Sequence, residues 1–106
     1  MAFTFEWDPR KNAANRAKHG VSFEEASTVF TDPLSSTFAA PAHSRGEERL
    51  VIFGLSSRAR CLAVLFTERR TPGGSGDEAT AVDVIRIISA RPATPHERSA
   101  YEEGHI

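Results

Sequence analysis

The chain has 106 residues, 40% of them hydrophobic and 25% charged, the balance of a globular protein rather than a disordered or fibrous one. That length suits one domain, residues 1–106, able to bury a core without clips, and the single Cys61 cannot form an internal disulfide. A net charge of -1 argues against a dedicated nucleic-acid binder. The lack of any apolar run near the roughly 20 residues of a membrane span, and of a signal-peptide layout in MAFTFEWD, sets the expectation of a cytoplasmic protein.

Phe3 to Trp7 alternates apolar and polar residues and predicts a short first strand. Asp8-Pro9 reads as an N-cap followed by proline at the first helical position, and His19-Gly20 as a C-terminal stop. The apolar residues of that helix are Ala13, Ala14 and Ala17, so close packing through small side chains is expected, with a basic flank left outside. Between Pro9 and Phe23 stand Arg10, Lys11, Arg16 and Lys18 and no acid, a local patch able to attract a polyanion despite the net charge. Ser22-Phe23-Glu24-Glu25 predicts a capping box opening a second helix, with Phe23, Ala26, Val29 and Phe30 on its inner face and Asp32-Pro33 ending it.

From Leu34 the pattern turns to strands: Leu34 to Ala40, Arg49 to Ser56, Cys61 to Arg69 and Ala81 to Ala90. The connections are too short for crossover helices, so an antiparallel sheet of about four strands is expected. Ser57 to Arg60 is a tight turn and Thr71 to Gly76 a glycine-rich hairpin tip, without the lysine and following helix of a phosphate loop. Thr94-Pro95-His96-Glu97 is a second capping box, starting a closing helix that ends near Gly104. The fold class is α+β: a short first strand, two N-terminal helices, the sheet, then a C-terminal helix.

Arg86 stands in the middle of a strand that otherwise reads as buried, where a guanidinium is costly unless it is paired or waits for an anion. Strict alternation would put Arg86 with Val82, Val84 and Ile88 on one face, and Ile85, Ile87, Ser89 and Arg91 on the other. One reading makes Arg86 a phosphate-binding group; the other pairs it structurally with Glu68 or Glu48. Glu97 is either the capping-box acid or a proton-transfer group, and Tyr101, one turn on, is either a core aromatic or a substrate-facing hydroxyl. His19, at a helix C-terminus, is a candidate general acid or an ordinary cap, and His43 an accessible candidate base. The four histidines show no metal-ligand spacing, so neither a metal nor another cofactor is expected. Cys61, in the run CLAVLF, reads as a small core residue.

Three segments, FEWDPRKNAANRAKHGVSFEEASTVF, EERLVIFGLSSRARCLAVLFTER and IRIISARPATPHERSAYEEG, closely resemble the BrnT family of bacterial type II toxins. The resemblance covers nearly the whole chain. It implies a RelE-like fold, metal-independent RNA cleavage that arrests translation, and a cognate BrnA antitoxin. That partner carries a ribbon-helix-helix DNA-binding part, so operator DNA would be met only through it. On this reading Arg86 and Arg91 take the phosphate with support from Arg69. Glu97, Tyr101 or His19 transfers protons, while Lys11, Lys18 and His43 help hold RNA. Two other classes stay open: a non-catalytic module holding an acidic partner segment, and a structural subunit of a repressor. The chain departs from the family pattern before His43, where an acid is usual, and in a longer hairpin from Thr71 to Thr80.

Overall fold

The computed structural model describes residues 2–40, 48–71 and 82–104, so His43 and most of the glycine-rich hairpin lie outside the described residues. In chain order the elements are β1 (Ala2–Glu6), α1 (Pro9–His19), α2 (Phe23–Ser27) running into a 3₁₀ turn (Thr28–Thr31), β2 (Ser36–Ala39), β3 (Leu50–Leu55), β4 (Cys61–Thr71), β5 (Val82–Pro92) and α3 (Pro95–Glu102). The strands form one sheet in the order β1-β5-β4-β3-β2. Strands β2 to β5 are an antiparallel meander, as expected. β1 joins them as a fifth strand, parallel to β5, with Glu6 opposite Arg86. No described helix is long and apolar enough to cross a membrane.

The core lies between α2 with its 3₁₀ extension and one face of the sheet. Val21, Phe23, Ala26 and Val29 meet Ile52, Leu62, Val64, Phe66, Ile85, Ile87 and Ala90, and Phe5, Trp7 and Phe30 pack against the rim. Phe30 stacks edge-on against Phe66 at 4.9 Å between ring centres, a geometry that aromatic quadrupoles favour. Gly54 is required where β3 passes under the 3₁₀ turn: a Cβ there would come within 3.0 Å of Val29 Cγ1 and Ser35 Cβ.

Asp8 caps α1 by accepting from Arg10 N, and Gly20 closes it in the left-handed region at φ 71, as the sequence signals require. The packing face of α1 is another matter. Ala13, Ala14 and Ala17 are exposed, whereas Asn15 is buried and Asn12 and His19 are half-buried. The reason is hydrogen bonding. β1 pairs with β5 only as far as Arg86, and beyond it the Asn15 side chain acts as a substitute strand. It donates to Ala90 O at 2.7 Å and accepts from Ala90 N at 3.2 Å. Asn12 accepts from Phe23 N and donates to Glu24. Buried backbone groups need partners, and on this helix that demand outranks burial of three methyl groups.

At α2, Ser22 accepts from Glu25 N, but the expected reciprocal half of the capping box is missing. The Glu25 carboxylate is engaged by Arg60 Nε at 2.9 Å, by the other Arg60 nitrogen at 2.5 Å and by Ser56 Oγ at 2.6 Å. The effect is to fasten the β3–β4 turn, in which Ala59 holds φ 59, onto α2. At α3 both halves of the capping box are present, between Thr94 and Glu97.

Candidate functional site: the open face of the sheet

Among the described residues, the other face of the sheet is left uncovered by α1 and α2 and is met only at one end, by α3 through Glu97. What that face carries is decided by one irregularity. Along β4 and β5 the register runs Ala63↔Arg91, Val64↔Ala90 and Leu65↔Ser89, then steps to Phe66↔Ile87 and Thr67↔Arg86. Ile88 is the extra residue of a β-bulge, which resets the alternation. Ile85, Ile87 and Ala90 therefore all face the core, and Arg86, Ser89 and Arg91 all face the open side. The strict two-face alternation expected from the sequence, with Arg86 and Arg91 on opposite faces, is corrected by this bulge.

Arg86 is not enclosed in a groove: its side chain is 42% exposed. Its carboxylate partner is Glu6 on β1 rather than Glu68 or Glu48, at 2.9 Å between Nη1 and Oε2. The same carboxylate takes Arg69 from β4 through both oxygens, at 2.8 and 3.3 Å. The three charged groups thus form a row across β1, β5 and β4. The Arg69 guanidinium, then that of Arg86, holds the Glu6 carboxyl below the usual carboxylate range against a smaller opposing effect of burial.

At the other end, Arg91 is clasped by Glu97 in a fork-to-fork pair, at 2.7 and 3.0 Å, and also donates to Pro92 O. The Arg91 guanidinium, aided by the Thr94 amide, pulls the Glu97 carboxyl down to about 2 despite partial burial. Glu97 thus fills the capping role weighed for it and is in addition the partner of Arg91, and it stays ionised at neutral pH. Beside the Arg91–Glu97 clasp lies a hollow of about 230 Å³, floored by Val51, Phe53, Ala63 and Leu65 and rimmed by Ser89, Arg91 and Glu97.

Tyr101 lies elsewhere. Its hydroxyl donates to Asp32 Oδ2 at 2.5 Å, and the same oxygen accepts from Leu55 N, so the tyrosine ties α3 to the end of the 3₁₀ turn and to β3. Burial, then the Asp32 carboxylate, pushes the phenol up to about 12. On the far side of α3 a second hollow is lined by Cys61, Arg60, Arg98 and Tyr101; burial raises the Cys61 thiol, so it is a poor thiolate source. His19 ends α1, and among the described residues no hydrogen bond or ion pair joins it to Arg86, Arg91 or Glu97. Lys11 and Lys18, two turns apart, lie on one exposed line of α1. Among the described residues no three His, Cys, Asp or Glu side chains gather in a way that could hold a metal ion.

Reading the sequence missed Glu6, Ser89 and Asp32. The alternation of FTFEW does put Glu6 opposite in sense to Phe3 and Phe5, but its meeting with Arg86 depends on a parallel pairing across 80 positions.

Residues 7–97 match the family described as the ribonuclease toxin BrnT of type II toxin-antitoxin systems. The chain belongs to that family. Membership implies an antitoxin as partner. Among solved structures, the chain is similar to the ribonuclease toxin BrnT of Brucella abortus, determined by crystallography at 1.1 Å. Identity is 24%, the TM-score is 0.54, and the match covers 89% of this chain and 99% of that one. At that identity the likeness speaks to the fold, and it agrees with the α+β arrangement described above. No curated protein sequence matches this chain.

Proposed function

We propose that the chain, acting as a single domain in the cytoplasm, is an endoribonuclease that cleaves RNA without a metal and so arrests translation. A BrnA-type ribbon-helix-helix antitoxin neutralises it, and the pair represses its own operon through the antitoxin's hold on operator DNA. The observation that supports the reading best is the β5 bulge, which gathers Arg86 and Arg91 on one uncovered face, with Arg69 in the same row. A polyanion meets such a face through guanidinium forks, which match phosphate geometry.

Strand scission of this kind needs a base for the 2'-hydroxyl proton and cations to stabilise the phosphorane as the 5'-oxygen leaves. Arg86 and Arg91 supply the charge, and Arg69 a supporting contact. Glu97 is the base. When a phosphate takes the fork of Arg91, the Glu97 carboxylate loses the guanidinium that depresses its pKa and regains proton affinity beside the reacting hydroxyl. Solvent returns the proton to the 5'-oxygen. Tyr101, whose hydroxyl is given to Asp32, and His19 are left as structural groups. The basic line of α1, Lys11 and Lys18, helps hold RNA backbone or the antitoxin.

One observation favours a second reading, a non-catalytic module that holds an acidic partner segment. Both terminal nitrogens of Arg91 are already engaged by a carboxylate, as they would be by a partner's acidic side chain. The two are separated by incubating labelled RNA with the protein in excess EDTA, beside a folded Arg86→Ala preparation, and mapping new ends. Cleavage by the parent alone, leaving 2',3'-cyclic phosphate, is expected. Retained RNA binding with no new ends, on free RNA and on translating ribosomes, would favour the binding module.

A further inference from the structure

We propose that Glu6 is a positioning residue of the open-face site, fixing one corner of the Arg86 guanidinium so that its remaining edge is presented to an RNA phosphate. The inference rests on the ribonuclease reading above and adds a residue to it.

The geometry comes from three strands. Parallel pairing makes Glu6 and Arg86 direct neighbours, and antiparallel pairing puts Arg86 opposite Thr67 on β4, itself buried. Arg69, two residues further along β4, reaches the same carboxylate. Glu6 Oε2 accepts from Arg86 at 2.9 Å and from Arg69 at 3.3 Å, while Oε1 accepts from Arg69 at 2.8 Å. Because Arg69 grips the carboxylate with both terminal nitrogens, the carboxylate plane is set, and a set carboxylate is a fixed anchor for Arg86. Only Nη1 of Arg86 is used. Its Nε and Nη2 have no protein partner among the described residues, and these two nitrogens form a parallel-donor edge able to bind two phosphate oxygens. Arg91 presents the contrasting case, with both terminal nitrogens occupied.

Without an anchor, a half-exposed arginine distributes over many rotamers, and a misplacement of about 1 Å can cost on the order of 100-fold in rate. Glu6 is poorly suited to proton transfer itself, because two guanidinium groups stabilise its ionised form. As an anion beside the RNA path it also opposes binding of a polyanion. A residue that opposes binding yet aligns the phosphate-holding group has a distinctive kinetic signature.

The test measures kcat and KM for a short RNA with the parent, Glu6→Gln and Glu6→Asp, each shown by thermal melting to be folded. A fall in kcat of roughly 10- to 100-fold in Glu6→Gln, with KM unchanged or lowered, is the expected result. Glu6→Asp keeps the charge but retracts the carboxylate, and it is expected to lie between parent and Glu6→Gln in kcat. It carries the test alone if Glu6→Gln does not fold. Turnover within about twofold of the parent in both variants, or a raised KM at unchanged kcat, would overturn the assignment while leaving the ribonuclease reading intact. Absence of cleavage by the parent on free RNA and on ribosomes would overturn both.

Discussion

Glu25 and Glu6 hold arginines in similar hydrogen-bonded geometry on opposite sides of one sheet, and they do different things because water reaches one and not the other. Glu25, with only 6% of its side chain exposed, is enclosed by Arg60, Ser56 and the end of α2. Glu6, 33% exposed, is shared by Arg69 and Arg86, whose side chains are 59% and 42% exposed. A buried carboxylate such as Glu25 cannot give up its arginine without being left a poorly compensated charge, so the pair fixes the turn. A half-exposed pair stays open to water on its free side, so the unused donors of Arg86 remain available to a ligand. The Arg91–Glu97 clasp falls between these extremes, with 42% and 22% exposure, and it is there that partner exchange would switch a carboxylate from inert to basic.

The largest expected effect that tests this contrast is in catalysis. Arg86→Ala should lower cleavage on the order of 100-fold or more while shifting unfolding free energy by no more than about 1 kcal/mol, read by end-mapping kinetics and urea titration. Arg60→Ala should do the reverse, removing about 1–3 kcal/mol by taking the main partner from the buried Glu25 carboxylate, with turnover of the remaining folded fraction close to the parent's. If Arg86→Ala proved the more destabilising of the two, the division into a structural and a working pair would collapse.

Asn15→Ala sharpens the role of the polar helix face. It leaves Ala90 N and O without their side-chain partner at a buried edge, and a loss of about 1–3 kcal/mol in unfolding free energy is expected. Hydrogen exchange at the Ala90 amide should rise with it. An unchanged urea midpoint would mean that another group takes over that edge.

The intermediate clasp has a pH signature. Glu97 titrates at about 2 in the folded chain against an ordinary 4.5, so its contribution to stability is complete above about pH 4.5 and is lost as pH falls toward 2. Glu6, Glu24, Glu25 and Asp32 are shifted in the same direction and add to that slope. Urea midpoints measured between pH 5 and 2 should therefore decline steeply, and Glu97→Gln should decline less steeply than the parent. Equal slopes would show that the clasp opens in solution. Smallest of all, Tyr101→Phe should cost about 1 kcal/mol by removing one hydrogen bond to Asp32, without altering the pH dependence of cleavage. A changed pH profile would return Tyr101 to the proton-transfer step.

Much of this molecule is written in local sequence. Asp8-Pro9, Gly20, Ser22, Asp32-Pro33 and the Thr94 to Glu97 capping box place the helix ends, because caps and turns are satisfied within three or four residues. The apolar periodicity of Phe23, Ala26 and Val29 and of the four meander strands places most of the core. The three FEWD, GLSSRAR and RIISAR segments carry the family. What local pattern could not carry is the partner of each polar group. The alanines of α1 promised a packing face that Asn12 and Asn15 took instead, since an unpaired strand edge needs donors and acceptors more than methyl contact. The bulge at Ile88, which brings Arg86 and Arg91 to one face, arises from register between β4 and β5, and a single inserted residue reverses every later side chain. The partners of Arg86 and Arg60 come from residues 80 and 35 positions away, and a charge's partner at that separation is chosen by strand order and burial. The sequence by itself determined where the elements begin and end and which faces are apolar; the tertiary structure decided which charges meet, because ion pairing follows distance in space and solvent access.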